Sequence, residues 1–278
     1  MTIAELKNKI AAACDKVREL TPLTPSITNT VTVNFVANAQ LAVGGSAAMV
    51  YLPDEGEGLA TVGNSFYINM GTLLPVYAET LPRTARALKK NNKPWVLDPV
   101  GMGIGSLRSG ILLTLRDCPP TIVRGNASEI IALANLWQLD SGIVKDGVRG
   151  VDATDSVNSA RKAAVVLARF IKGAVAVSGE EDLITDGSVT VFSQGGSALF
   201  TKITGAGCSL GGVTAVYAAV TDPLTAGVTA HAIYNAAGSK AVSTAKGPAS
   251  FQIAFLDELY SISSQEVADN PFRIEVED

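Results

Sequence analysis

The chain has 278 residues, with 22 Lys or Arg against 26 Asp or Glu, and carries a formal net charge of −4. This acidic balance argues against a nucleic-acid partner, because nucleic-acid-binding proteins present a basic patch or stripe. Hydrophobic residues make up 47% of the chain, yet no apolar run approaches the roughly 20 residues that span a bilayer, so no membrane partner is expected.

The N-terminal two thirds alternate short apolar runs with longer amphipathic stretches. Residues 1–20 combine charged residues with apolar positions at helical spacing, which predicts an amphipathic helix and not a signal peptide. The predicted strands that follow are 25–29, 47–52, 66–70, 95–99, 121–125 and 174–178. The predicted helices between them are 31–43, 74–91, 107–116 and 156–171. This alternation is typical of βαβ units in a mainly parallel sheet.

The pattern changes after residue 178. Residues 182–185 and 188–192 flank Asp186-Gly187, which predicts an antiparallel hairpin, and a second extended pair is expected through Gly195-Gly196 to Thr201. Residues 207–261 are predicted to be mostly helical, and the acidic tail beyond Ser264 to be extended. We therefore predict one α/β domain over residues 1–278, with a mainly parallel sheet and an antiparallel edge hairpin.

The segment Thr204-Gly205-Ala206-Gly207-Cys208 precedes a long apolar stretch of small residues. It predicts a glycine-rich turn that enters a helix. Free N–H groups and the positive end of the helix dipole would form a site for a phosphate there. Taken alone, a loop in which glycine only permits positive φ is an equally good interpretation.

Several polar residues come where predicted strands end. Asp98, Arg124 and Ser178 each close such a strand, and Asn29 closes the first one. Because ligands bind at the carboxyl ends of parallel strands, these side chains are expected to converge. A carboxylate, an arginine, a hydroxyl and a glycine-rich anion site are the groups that Mg-dependent phosphoryl transfer requires.

Each of these residues also has a structural interpretation. Asn126 and Glu129 match a capping box, and we favour the cap for Asn126, whereas Glu129 could equally cap the helix or hold Mg²⁺ through water. Asp98 could start a turn before Pro99, and Arg124 could form a surface ion pair. The three cysteines, Cys14, Cys118 and Cys208, are far apart and form neither a metal-ligand spacing nor a disulfide framework, which favours a cytoplasmic location.

His231 is the only histidine, so a Ser-His-Asp triad would have to use it. It lies in an Ala-rich helical stretch, where a packed or surface histidine is the better interpretation. The absence of a G-x-G-x-x-G motif at the first strand argues against a dehydrogenase.

Taken together, the motifs resemble the hydroxyethylthiazole kinases of the ribokinase-like superfamily. The matching segments run in family order: Ser26-Ile27-Thr28-Asn29, Gly44-Gly45-Ser46-Ala47-Ala48-Met49, Asn69-Met70-Gly71-Thr72-Leu73, Leu97-Asp98-Pro99-Val100-Gly101, Arg124-Gly125-Asn126-Ala127-Ser128-Glu129-Ile130, Gly205-Ala206-Gly207-Cys208 and Lys246-Gly247-Pro248-Ala249-Ser250-Phe251. They cover nearly the whole chain and are specific as a set. The Gly-Ala-Gly turn alone would indicate only the superfamily.

This resemblance implies a three-layer α/β/α fold without a separate lid. It also implies phosphorylation of 4-methyl-5-(2-hydroxyethyl)thiazole by ATP and Mg²⁺ for thiamine biosynthesis, in a homotrimer that binds the thiazole between subunits. By this resemblance the thiazole is bound by Met49 and Asn29, ATP by Arg124 and Ser178, and Mg²⁺ by Asp98 and Glu129. The phosphoryl transfer is assigned to Gly205, Ala206, Gly207 and Cys208, and Gly205 also lies at the substrate hydroxyl.

Two positions depart from related patterns. Ser178 stands where many members have Thr, which keeps the hydroxyl, and Cys208 stands where sugar kinases of the superfamily have Asp as general base. Since a helix N-terminus lowers a thiol pKa, Cys208 is a candidate to accept the substrate proton.

Two other functions stay open. A related vitamin kinase acting on hydroxymethylpyrimidine or pyridoxal would use the same phosphate machinery, so only the segment around Met49 favours the thiazole. A non-catalytic ATP sensor would bind nucleotide without turnover.

Overall fold

The computed structural model describes residues 1–141 and 153–277. Its nine strands belong to one sheet, in the order β2-β1-β3-β4-β5-β6-β7-β8-β9. The strands are β1 Leu23–Ile27, β2 Ser46–Met49, β3 Phe66–Asn69, β4 Trp95–Asp98, β5 Ile122–Asn126, β6 Ala174–Ser178, β7 Glu181–Thr185, β8 Val189–Gln194 and β9 Phe272–Val276. Pairing is parallel from β2 to β6 and antiparallel from β6 to β9. The mainly parallel sheet with an antiparallel edge is therefore confirmed, while the single-domain assignment stays a prediction.

Helices cover both faces of the sheet. They are α1 Ile3–Leu20, α2 Val33–Ala42, α3 Pro53–Val62, α4 Tyr77–Lys90, α5 Ser106–Leu115, α6 Ala127–Leu136, α7 Ala153–Ile171, α8 Ala206–Ala218, α9 Pro223–Ala241, α10 Pro248–Ser261 and α11 Ser264–Ala268, with a 3₁₀ helix at Ala198–Lys202. Neighbouring strand residues alternate between two cores: Val96 and Ile122 pack with α8 and α9, and Leu97 and Val123 pack with the helices of the other face. Burial on both sides explains why these strands read as continuous apolar runs.

Two sequence predictions are wrong in detail, and one helix was not predicted. The predicted extended pair up to Thr201 does not form. Gly195 and Gly196 have φ of +134° and +80°, and the Ser197 side chain accepts a hydrogen bond from Leu199 N, so the chain turns into a 3₁₀ helix. The tail beyond Ser264 is extended only in β9, after the short helix α11. Helix α3, which begins at Pro53, was not predicted.

The topology brings the carboxyl ends of the parallel strands to one edge of the sheet. Helix α8 packs against β1, β3 and β4 and begins at this edge. Within the described ranges, none of the helices is both long enough and apolar enough to cross a membrane.

Candidate active site

A buried carboxylate lies at the centre of this edge. Asp98 ends β4 and is fully buried. Its Oδ2 lies 3.2 Å from Arg124 Nη1 and accepts a hydrogen bond from the Tyr67 hydroxyl at 3.0 Å. Its Oδ1 has no hydrogen-bond partner among residues 1–141 and 153–277. Burial raises the pKa of Asp98 to about 6, although the Arg124 cation opposes the shift. The buried carboxylate therefore keeps one acceptor atom free.

Arg124 links the carboxylate to the next strand. Its guanidinium is almost fully buried and donates from Nη2 to Ser178 Oγ at 2.6 Å. The first turn of α8 makes room for it, because a Cβ on Gly207 would stand 2.8 Å from Arg124 Nη1. Asp98, Arg124 and Ser178, which the sequence placed at separate strand ends, thus form one connected group.

The glycine-rich turn enters a helix as predicted. Gly205 precedes the first residue of α8 and adopts a left-handed conformation with φ of +92°. A Cβ there would stand 2.8 Å from Thr32 Cγ2, so both the backbone and the space require glycine. The first N–H groups of α8, from Ala206 onward, have no partner within the helix and suit an anion.

Cys208 lies in the first turn of α8, beside the same cluster. Asn29 Nδ2 lies 3.4 Å from its Sγ and donates to Asn69 Oδ1 at 3.2 Å. Burial raises the pKa of the Cys208 thiol, and the nearby Asp98 carboxylate raises it further. The expectation that the helix N-terminus gives a thiolate is therefore wrong in direction, since burial and a neighbouring negative charge outweigh the helix dipole.

Glu129 caps α6 and also influences the buried carboxylate. Asn126 Oδ1 accepts from Glu129 N, and Glu129 Oε2 accepts from Asn126 N, both at 2.9 Å, which confirms the capping box. Glu129 Oε1 accepts from Gly101 N at 3.3 Å. The charge of Glu129 is close enough to raise the pKa of Asp98. The cap interpretation of Glu129 is thus correct, and its carboxylate also belongs to the electrostatic surroundings of Asp98.

The Asp98 and Glu129 carboxylates suit a magnesium ion better than a metal ion whose ligands are all protein side chains. The described part of the chain contains no group of three or more His, Cys, Asp or Glu that could hold a metal. Mg²⁺, however, is usually bound through one or two carboxylates together with waters and substrate phosphates. The unpartnered Oδ1 of Asp98 is the atom best suited to that role.

Met49 lies apart from the hydrogen-bonded cluster. It ends β2 at the outer edge of the sheet, in register with Ser26, and is partly exposed. Two strands, β1 and β3, separate β2 from Asp98 on β4. Met49 therefore lies at the carboxyl edge of the sheet, two strands away from Asp98.

Sequence reasoning missed two central residues, Tyr67 and Asn69. Asn69 Nδ2 donates to the Tyr67 hydroxyl at 2.8 Å, and that hydroxyl donates to Asp98. Burial raises the pKa of Tyr67, which keeps the phenol protonated and able to donate. The available signal was their spacing: residues two apart on a strand face the same side, here toward α8. A row of contacts therefore runs from Cys208 through the two asparagines and Tyr67 to Asp98 and Arg124.

A cavity of about 590 Å³ opens beside this row. Arg124, Ser178 and Gly207 form its polar end, and Phe200, Leu210 and Tyr234 form part of its apolar wall. A cavity with one cationic end and an apolar wall suits a ligand that carries both phosphate and an aromatic base.

Comparison with known proteins identifies the family of the chain. The model of the Hydroxyethylthiazole kinase family matches residues 14–265. The chain belongs to the hydroxyethylthiazole kinase family. The resemblance noted in the sequence is thereby confirmed, and family membership makes the protein a kinase, that is, a phosphotransferase.

Curated relatives match along almost the entire chain. Hydroxyethylthiazole kinase of Bifidobacterium adolescentis is 52% identical, over 96% of this chain and 94% of its own length. The enzyme of Bifidobacterium longum subsp. infantis is 49% identical, over 97% of this chain and 92% of its own length. The enzyme of Cereibacter sphaeroides is 41% identical, over 94% of this chain and 96% of its own length.

Solved structures support the ribokinase-like fold. Hydroxyethylthiazole kinase from Pyrococcus horikoshii OT3 superposes with a TM-score of 0.85 and 31% identity, covering 96% of this chain and 98% of that one. Pyridoxal kinase from Staphylococcus aureus in complex with ADP gives a TM-score of 0.56 at 17% identity, over 78% and 88% of the two chains, which shows a shared fold. The predicted fold class is therefore confirmed.

Proposed function

We propose that this family member transfers the γ-phosphoryl group of ATP to the hydroxyl of 4-methyl-5-(2-hydroxyethyl)thiazole, with Mg²⁺, for thiamine biosynthesis. The observation that carries the proposal is the joining of Asp98, Arg124 and Ser178 beside the start of α8. This group combines a buried carboxylate, a buried guanidinium and free helix N–H groups, as a site for phosphoryl transfer requires.

Arg124 and the first N–H groups of α8 are proposed to stabilise the charge of the transferring phosphoryl group. Both are held before substrate arrives, Arg124 by Asp98 and Ser178 and the N–H groups by the helix. Electrostatic stabilisation by preorganised donors of this kind is usually the largest single contribution to catalysis. Ser178 is proposed to contact ATP from the same side of the cavity, and Gly205 to lie at the acceptor hydroxyl.

Asp98 and Glu129 are proposed to hold Mg²⁺, Asp98 through its free Oδ1 and Glu129 through water. Bound there, the ion would neutralise phosphate charge. Glu129 Oε1 and Oε2 already accept hydrogen bonds from Gly101 N and Asn126 N. A bridging water would let Glu129 face the ion while both of these hydrogen bonds stay in place.

Cys208 is proposed to line the acceptor pocket as a neutral thiol, beside Asn29. Because burial and Asp98 raise its pKa, the thiol is a poor base at neutral pH. In phosphoryl transfer the protein acts mainly through positioning and electrostatic stabilisation, so a strong base at this position is not required. Met49 and Asn29 are proposed to contact the thiazole.

We also propose a homotrimer whose neighbouring subunit completes the acceptor pocket, and a cytoplasmic location. The first is supported by the partly exposed position of Met49 on the outer strand β2. The second is supported by Cys14, Cys118 and Cys208, which are all free thiols.

The test of the activity is ADP production from Mg-ATP with four alcohols in parallel: hydroxyethyl-methylthiazole, hydroxymethylpyrimidine, pyridoxal and ribose. We expect strong stimulation by the thiazole alone, and its loss with EDTA or in an Asp98→Asn variant. Stimulation by another alcohol instead would retain the kinase and overturn the substrate. ATP binding without stimulation by any of the four would favour the sensor function.

A further inference from the structure

The only histidine of the chain lies directly behind the proposed nucleotide contact. His231 is in α9 and is fully buried. Its Nε2 lies 3.5 Å from Ser178 Oγ, and its Nδ1 lies 2.8 Å from the carbonyl oxygen of Gly227, one helical turn earlier. The proposed function assigns no task to this residue.

The surroundings determine which ring nitrogen carries the proton. A carbonyl oxygen can only accept a hydrogen bond, so Nδ1 must be the donor to Gly227. Burial lowers the pKa of His231; Asp182 on β7 acts against this shift, and Arg124 on β5 acts with it. The ring is therefore neutral at pH 7. A neutral ring protonated at Nδ1 presents a lone pair at Nε2, toward Ser178.

The same reasoning indicates a direction for the Ser178 hydroxyl. Arg124 Nη2 donates to Ser178 Oγ at 2.6 Å, so the hydroxyl proton must point elsewhere. The Nε2 lone pair of His231 is an acceptor on the buried side, at a separation near the outer limit of a hydrogen bond. If the hydroxyl donates to His231, its lone pairs remain directed at Arg124.

We propose that His231 is a positioning residue that orients the Ser178 hydroxyl and, through it, holds the Arg124 guanidinium at the polar end of the cavity. The link to nucleotide affinity rests on the proposed function, because it assumes that Arg124 and Ser178 contact ATP. The tautomer and the direction of the hydroxyl do not depend on that assumption. His231 would not touch the nucleotide itself.

The first test observes the ring directly. In protein labelled with ¹⁵N-histidine, the single histidine gives one pair of ring nitrogen signals. We expect a protonated Nδ1 and an unprotonated Nε2 at pH 7, and a neutral ring at pH 6.5, where an ordinary histidine is about half protonated. A ring protonated at Nε2, or charged at pH 7, would overturn the proposal.

Serine variants test the contact with Ser178. We expect Ser178→Ala to move the Nε2 signal and leave the Nδ1 signal in place, because Gly227 still accepts from Nδ1. Ser243→Ala is the control, since Ser243 is exposed just beyond the end of α9. An Nε2 signal that is unchanged in Ser178→Ala would mean that the two side chains do not interact.

Two amide variants test the effect on nucleotide affinity. A glutamine at position 231 reaches about as far as Nε2 and can accept from Ser178, whereas an asparagine reaches only as far as Nδ1. We expect His231→Asn to weaken ATP binding about tenfold, which is the usual effect of losing one hydrogen bond in a network that includes a charged group. The value of kcat should change by less than about threefold. The ATP affinity of His231→Gln should stay near that of the wild type.

A double variant separates this positioning role from a merely structural one. In a Ser178→Ala background, His231→Asn should cause no further loss, because its effect acts through that hydroxyl. An additional tenfold loss there would contradict the proposal. ATP affinity is measured by calorimetry, which requires no acceptor alcohol, so a wrong substrate assignment would leave this result unaffected.

Discussion

The Asp98 carboxylate is the residue on which most of the site depends. It contacts Arg124 and Tyr67 with one oxygen and keeps the other free. Cys208 lies beside the same cluster, and its pKa is raised, so we propose that it lines the acceptor pocket as a neutral thiol. The two residues should therefore respond very differently to substitution.

We expect Asp98→Asn to lower kcat/KM by about 10²–10³, the loss seen when a preorganised electrostatic group is removed from an active site. The amide keeps the size of the side chain but removes the charge that faces Arg124. Cys208→Ala should lower kcat/KM by less than about tenfold, because a partly buried neutral thiol contributes mainly packing. Steady-state kinetics on both folded variants provides the comparison. An equal loss in the two variants would show that the thiol takes part in the reaction.

The pH profile should report the same carboxylate. Because burial raises the pKa of Asp98 to about 6, Asp98 takes up a proton as the pH falls through about 6, and kcat/KM should fall with it. Saturating Mg²⁺ should move this limb to lower pH, since a nearby cation favours the charged form. The Cys208→Ala variant is the control and should keep the acid limb. Activity that is flat down to pH 5 at subsaturating Mg²⁺ would contradict the assignment.

At the scale of elements, the close approach of α8 to the sheet forms the site. Gly211 lies where α8 crosses β3, and a Cβ there would stand 2.5 Å from the Tyr67 ring. The small residues of α8 thus allow the helix to lie directly on the strand that supplies Tyr67 and Asn69. The start of the helix is thereby held next to Asp98.

We expect Gly211→Ala to lower the free energy of unfolding by about 1–3 kcal/mol, the usual cost of overpacking. Gly110→Ala in α5 is the matched control: a Cβ there meets nothing within 4 Å, so alanine should stabilise the helix by about 0.5–1 kcal/mol. Urea unfolding of both variants measures the difference. Equal stabilities would mean that α8 can move away from Tyr67 without cost.

The sequence predicted the elements better than their contacts. Periodicity located β6 at residues 174–178 and placed the other predicted strands within a few residues, because their apolar runs are bounded by clear turn signals. It could not predict that Tyr67 donates to Asp98, which depends on β3 lying beside β4. The predicted direction of the Cys208 pKa shift was wrong for a similar reason. The helix N-terminus is visible in the sequence, but burial beside Asp98 depends on the tertiary structure.

At the scale of the whole molecule, the outer strand β2 carries Met49 at the carboxyl edge of the sheet. One subunit leaves this side chain partly exposed. If the thiazole binds here, a neighbouring subunit could enclose it, and this position supports the proposed trimer.

We expect light scattering to give a particle of three times the chain mass of 28.7 kDa. Dilution into a range where the trimer dissociates should lower thiazole affinity more than ATP affinity, because the proposed ATP contacts Arg124 and Ser178 lie within one chain. A monomeric mass with full thiazole affinity would exclude an acceptor pocket shared between subunits.

The position of α8 in the chain has a consequence for synthesis on the ribosome. From β3 to β9 the strands join the sheet in chain order, so the sheet can grow as the chain emerges. Helix α8, however, covers β1, β3 and β4 and is translated only after β8. Until Ala218 leaves the exit tunnel, Tyr67 and Val96 lack the helix that covers them. A nascent chain arrested before this point would display an apolar sheet face that a chaperone could bind. The helix whose arrival covers that face also completes the proposed phosphate site.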